Sequence, residues 1–364
     1  MQTRVNEHQV PAIATQSWDI LLAGGLSILF LVPLSAVSTP FTEGILTKDF
    51  LLLSIFINYP HFLLSYRLLY KGPESVVKHP WATVHIPVIL MAMVIFATAI
   101  SPWNSVPVLA LAFIGQFYLA WHYTGQAFGV ISTFAILDGH RISPFERKLL
   151  LYNFRILLIW HVAWLLEMEG DLPVWLIDAF ALFYQAASIG AALGCFLGLG
   201  AFYSLYKRTG KRPSLRMVVP WIAIYLWYST LAKYNGAIFW IQIFHALQYM
   251  SFPMRVEANR MLKDTDENTA DTRSIQRRLF FYFCSLIILT VLIFSLGLLF
   301  VSDTLNAVTT PMLADTPMAH VVVGSIFVKG FLAAFNIHHY VIDGVAWKLR
   351  DASVRQELMA HVRH

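Results

Sequence analysis

Apolar runs of about 20 residues recur from one end of this chain to the other, broken by short polar or proline-bearing connections. A run of that length crosses the hydrocarbon of a bilayer as a helix. Only a helix satisfies all its own backbone N–H and C=O groups within one segment in lipid. The pattern predicts an all-α, polytopic integral membrane bundle of about ten transmembrane helices, a single transmembrane domain over residues 1–364. Composition agrees. The chain is 57% hydrophobic and 13% charged, where a soluble domain carries about 25% charged residues.

The ten spans are expected at 18–38, 47–70, 81–101, 106–137, 147–168, 173–206, 217–232, 235–256, 279–301 and 317–347. The fourth, sixth and tenth are longer than a bilayer needs, which predicts tilted, broken or protruding helices. The seventh is short. Lysines and arginines orient the bundle. Lys48 and Lys233 fall on one side and Arg155 and Lys329 inside spans. Every other basic residue falls on the opposite side, in the N-terminal tail, the even-numbered connections with the span ends that flank them, or the C-terminal tail. The positive-inside rule places both termini in the cytoplasm, with a cytoplasmic tail at 1–17, a cytoplasmic loop at 257–278 and a cytoplasmic tail at 348–364 whose last part forms a short surface helix. The net charge of +5 is accounted for by this topology, and nucleic acid is not an expected partner. Cys195 and Cys284 lie in apolar runs and read as small hydrophobes, not as a disulfide framework. The stretch 302–317 reads as an extracytoplasmic connection in which Pro311 and Pro317 break helices.

Within the apolar runs stand histidines. His61, His122, His245 and the pair His338/His339 lie on spans two, four, eight and ten, which all run in the same direction. Each precedes the inner end of its span by about nine to fifteen residues, a spread of about 10 Å at ~1.5 Å per residue. An imidazole in hydrocarbon demands a partner, and four parallel helices could present theirs in one layer. Each has polar company at helical spacing: Asn58 before His61, Gln126 after His122, Gln248 and Tyr249 after His245, and Asp343 four after His339. Asn58, Gln126, Gln248 and Asp343 are candidates to accept or orient the second ring nitrogen of a metal-bound histidine. Tyr123, Tyr249 and Tyr340 are candidates to line the site or donate hydrogen bonds. His338 and His339 point about 100° apart on a helix, so one can face a site while the other packs elsewhere. The spacing to Asp343 favours His339.

Imidazoles with few carboxylates suit iron, copper or zinc, whereas magnesium and calcium prefer oxygen. An iron centre (Fe2+) in an apolar, aromatic cavity predicts a non-haem oxygenase acting on an apolar isoprenoid or acyl molecule. Two other readings are open. Paired axial histidines from facing helices would serve haem in an electron-transfer protein. A proton-coupled transporter would use the histidines and Lys329 as a polar path. His79, His85, His161 and His320 read as structural or interfacial, and His8, His140, His361 and His364 as terminal or loop residues. Arg155 is expected to snorkel or meet a backbone carbonyl, and Lys329 to pair, with Asp178 as a partner.

Four segments carry a family resemblance: Pro60-His61, His122-Tyr123-Thr124-Gly125, Phe244-His245, and His338 followed five residues later by Asp343. This set resembles the Brp/Blh family of bacterial membrane β-carotene-cleaving oxygenases. The resemblance implies an iron–histidine dioxygenase in a bacterial cytoplasmic (inner) membrane, a carotenoid or other lipid-like substrate, and His338 as the last ligand. The chain departs from the family pattern at Ser65, at Gln126 or Ala127, and at Tyr249. The last departure removes a histidine that His338 or His339 would have to replace.

Overall fold

A computed structural model describes residues 12–47, 50–167, 173–263, 272–347 and 352–359, and among these there is no strand. The helices are α1 (Gln16–Ser35), α2 (Thr39–Leu46), α3 (50–69), α4 (Pro73–Lys78), α5 (Trp81–Ile100), α6 (Val106–Leu137), α7 (Pro144–Glu167), α8 (Val174–Thr209), α9 (Leu215–Leu231), α10 (Ala237–Lys263), α11 (272–313), α12 (Val323–Ala346) and α13 (Ala352–Met359). Among the described residues, six helices are long and apolar enough to cross a membrane: α1, α5, α6, α7, α8 and α11. The helices that carry His61, His245 and His339 are outside this set. Each spends positions on polar side chains, such as Asn58 and Ser65 on α3, Gln242 and Gln248 on α10, and Asn336 and Asp343 on α12.

Several boundaries differ from expectation. The expected loop 257–278 is helical at both ends, because α10 runs to Lys263 and α11 begins at 272. Asp264, Asp266, Glu267 and Asp271 lie outside the described residues. So do Arg4, His8, Lys48, Lys348, Arg350, His361, Arg363 and His364. Pro311 does not break α11, which continues to Leu313. A proline removes one backbone bond and crowds the carbonyl four residues before it, a cost that continuous helices here also absorb at Pro220 and Pro253. The long α6 and α8 are each continuous, and α8 closes on Gly210 in the left-handed region. The helix of the C-terminal tail is docked rather than free. Asn259 Nδ2 donates to the Glu357 carbonyl at 2.8 Å, Arg260 pairs with Glu357 at 2.7 Å, and Leu358 is buried.

The chain forms two compact units. One comprises residues 1–50, 123–264 and 355–364. Its longest contact is α7 against α8, where Gly190 and Gly194 admit Ile156. At Gly198 a Cβ would come within 2.2 Å of Trp221 Nε1, so only glycine allows α8 to approach α9 there. Asn153 ties the same three helices, donating to the Gly194 carbonyl at 2.8 Å and accepting from Trp221 Nε1 at 3.1 Å. α1 is kinked at Gly24 (φ 144°), whose missing side chain lets Ala223 of α9 come close. At the start of α9, buried Arg216 bonds Asp19 at 3.0 Å and Asp138 at 3.1 Å. Ser214 also bonds Asp138, and Phe134 lies beneath the guanidinium.

The other unit comprises residues 51–122 and 265–354. Here α12 packs on α3, α5 and α11. Leu90, Val94, Leu111, Ala334 and Ile337 form one core cluster. Leu69, Ala82 and Ile342 form another. Two π-helical turns interrupt this unit's helices near histidines: Ser54–Asn58 just before Pro60-His61, and Trp81–His85 at the start of α5. Such bulges recur at functional sites because they free or redirect backbone carbonyls.

Candidate metal centre

The second unit holds three of the expected histidines together. His61 leaves the π-helical turn of α3 fully buried, and its Nδ1 donates to the Asn58 carbonyl at 3.2 Å. A carbonyl can only accept, so that bond assigns a ring proton to Nδ1. His339 of α12 is fully buried, its ring 4.5 Å from that of His61 and 5.1 Å from that of His122. Asp343 stands one turn further along α12. Its Oδ2 lies 3.4 Å from His339 Nε2 and 3.6 Å from His122 Nε2. These separations exceed a hydrogen bond, and they suit an oxygen and two nitrogens sharing one cation. Tyr340 stacks on His122 at 4.4 Å and donates its hydroxyl to Asn336 Oδ1 at 3.1 Å, which holds the plane of the imidazole.

In the other unit, His245 of α10 is buried against Tyr123, ring to ring at 4.6 Å. Gln126 Nε2 donates both to the His245 carbonyl at 3.1 Å and to Gln248 Oε1 at 3.0 Å. Gln248 in turn donates to the Ala23 carbonyl at 2.6 Å, beside the Gly24 kink. These amides therefore hold the backbone and rotation of α10, and do not bond an imidazole nitrogen. Tyr249 is buried on the same helix.

Within the second unit, one ring nitrogen from each of His61, His122 and His339 lies within 4.8 Å of the other two, and all three residues are buried.

No protein-family profile, no curated protein and no solved structure matches this chain.

The donor set itself can be tested against a metal. With metal–nitrogen bonds of about 2.0–2.1 Å, two ligating nitrogens sit about 3.4 Å apart in a tetrahedron and at most ~4.2 Å apart across the ion. The observed limit of 4.8 Å is about 0.6 Å wider than the separation across an ion and about 1.4 Å wider than the tetrahedral one, so the rings would have to draw inward to hold a metal. Three imidazoles and one carboxylate are a first-row transition-metal set, not one for magnesium or calcium. With neutral rings, Asp343 leaves a divalent ion with one net positive charge, which eases its burial.

His338 stands apart from this group. Its Nδ1 meets the Tyr66 hydroxyl at 2.6 Å and its Nε2 the Ala82 carbonyl at 2.7 Å. The 100° step along α12 separates its direction from that of His339. His161 is buried elsewhere, with Nδ1 3.3 Å from the Tyr228 hydroxyl. His85 and His320 are exposed, and His140, expected in a loop, is buried. Lys329 and Asp178 are both exposed rather than buried partners, and the Arg155 guanidinium lies over the Tyr152 ring.

Sequence reading passed over three contributors. Phe62 lies 4.5 Å from His339 and 5.0 Å from His61, between α3 and α12. Tyr66 and Ala82 engage His338. A signal for the first was present: Phe327, Phe331 and Phe335 precede His339 and Asp343 at four-residue steps, one continuous face of α12. Phe335 stacks on Tyr66 at 5.0 Å and lies 5.7 Å from Phe62. Nothing local marks the carbonyl of Ala82 except Pro87 five residues on.

Proposed function

We propose that this protein is a membrane-embedded non-haem iron oxygenase acting on an apolar, lipid-like molecule of the isoprenoid, carotenoid or acyl class. His61, His122 and His339 would hold the iron, and His245 is the fourth candidate that the sequence offers. The observation that carries the reading is the buried group of three imidazoles in the second unit, with Asp343 beside them. Iron in such a set supplies activation of dioxygen. The chain's own residues do the rest. Asp343 lends its negative charge beside His122 and His339, the Asn58 carbonyl keeps the His61 proton on Nδ1, and Tyr340 keeps His122 in plane. Phe62 borders His61 and His339 and keeps water from them. The resemblance to the Brp/Blh oxygenases favours the same chemistry. The packing within the second unit disfavours the haem alternative, because three ring nitrogens gathered within 4.8 Å leave no plane for a macrocycle between two axial ligands.

Elemental analysis and an optical spectrum of detergent-purified protein test this. The expected result is one iron per chain with no Soret band. A Soret band would point to haem, and protein free of transition metal would leave only the transporter reading.

We also propose ten spans with both termini cytoplasmic in a bacterial cytoplasmic membrane. The support is the one-sided distribution of basic residues and ten long helical segments near the expected positions. Reporter fusions at 138–143 and 210–213 should read cytoplasmic, and those at 102–105 and 232–236 extracytoplasmic. A reversed or non-alternating pattern refutes the count.

A further inference from the structure

His338 adjoins the proposed ligand His339, yet both its nitrogens are engaged elsewhere in the same unit. The reason begins in the backbone of α5. In the π-helical turn Trp81–His85, the Ile86 N–H reaches back to the Trp81 carbonyl. The Ala82 carbonyl has therefore lost its ordinary donor at Ile86. Its next candidate, residue 87, is proline and has no N–H. A carbonyl orphaned in a helix that crosses lipid requires a donor from outside. His338 Nε2 supplies it at 2.7 Å. With the ring proton committed to Nε2, Nδ1 can only accept, and Tyr66 donates to it at 2.6 Å. Tyr66 is itself held by Phe335 at 5.0 Å and Tyr70 at 5.9 Å, both stacked. Ala82 belongs to the Leu69–Ala82–Ile342 cluster that seats this part of α12.

We propose that the Tyr66–His338–Ala82 chain is a clamp that sets the rotation of α12 and so aims His339 at the metal. His338 is a positioning residue, not a ligand. A helix with its polar side chains unfixed can rotate at little cost, and a rotation of a few tens of degrees would carry His339 and Asp343 away from His61 and His122 together, since both sit on the face next to His338. Pro87 is part of the device, because an ordinary residue there would offer the Ala82 carbonyl a backbone donor in place of His338.

The inference rests on the metal reading, and the experiment separates the two. Metal-free, full-length protein is titrated with Co2+ in detergent, reading the visible ligand-field spectrum and the dissociation constant. Side-chain nitrogen NMR of labelled histidine reads the His338 tautomer without metal. The wild type should bind one Co2+ and show His338 protonated on Nε2. Tyr66→Phe, His338→Phe and Pro87→Ala should each bind Co2+ roughly 10–100-fold more weakly, the usual effect of removing a group that orients a ligand. Their ligand-field bands should also shift. His338→Gln, whose amide can still donate to Ala82, should recover part of the affinity, which a merely structural effect would not produce. Equal affinities and unchanged bands in Tyr66→Phe and Pro87→Ala, or an Nδ1–H tautomer of His338, overturn the clamp while leaving the metal site standing. A wild type that binds no Co2+ overturns the metal reading and the positioning role with it.

Discussion

Replacing His122 or His339 by alanine should strip the iron from the purified protein, while replacing His161 should not. All three side chains are buried and aromatic-packed, so each substitution opens a comparable cavity. They differ in what the imidazole does. His122 and His339 flank Asp343 and belong with His61 to the group of three buried ring nitrogens, whereas His161 bonds the Tyr228 hydroxyl. A structural four-ligand zinc site binds its metal with an apparent ~10–16 kcal/mol, so one ligand accounts there for roughly 3 kcal/mol, or about 100-fold in affinity, and iron(II) binds more weakly than zinc. Loss on that scale empties the site during purification. Metal content by elemental analysis is the measurement. Iron retained at wild-type stoichiometry in both His122→Ala and His339→Ala would end the metal assignment. Iron lost equally from His161→Ala would show that the loss reports only general destabilisation.

Arg216→Met should be the most destabilising single change outside the metal site. Arg216 and Asp19 are 3% and 1% exposed, and Asp19 additionally accepts the backbone N–H groups of Ile13 and Ala14 at 3.0 Å each. Removing the guanidinium strands two carboxylates, Asp19 and Asp138, in a site built around a cation. Breaking a buried pair from one side costs about 3–5 kcal/mol, because the remaining charge is uncompensated. Unfolding in a graded detergent–denaturant series measures it. The same substitution in an Asp19→Asn, Asp138→Asn background should cost much less, since no charge is left behind. If single and triple variants unfold alike, the loss belongs to packing on Phe134 and not to the charges.

How far the sequence could be read depended on whether a requirement was local. Helicity followed from the length of the apolar runs, and the helical segments near 81–101, 106–137 and 217–232 lie within a residue or two of α5, α6 and α9. The ends of α10 and α11 were misjudged, because a charged stretch beyond an apolar run reads as a connection although its residues are good helix formers. Pro311 does not end its helix, nor do Pro220 and Pro253 end theirs, because packing can offset the one backbone bond and the local crowding that a proline costs. Which residues are chemically out of place was visible from residue type alone. Histidines at 61, 122, 245 and 338/339 are costly in lipid wherever their helices point. Their neighbours were half legible: Asp343 does stand beside His339 at the expected spacing, but Asn58 contributes its backbone carbonyl to His61.

By itself the sequence determined that the chain is helical, that its long apolar segments suit a membrane, and which few polar side chains within them must find partners. These follow from backbone hydrogen bonding and hydration, which each segment settles alone. Tertiary structure alone decided the azimuth of each helix. It turned His339 toward His61 and His122 and sent His338 to Tyr66 and Ala82. Neighbouring positions on a helix differ by 100°, and only packing against other helices chooses between them.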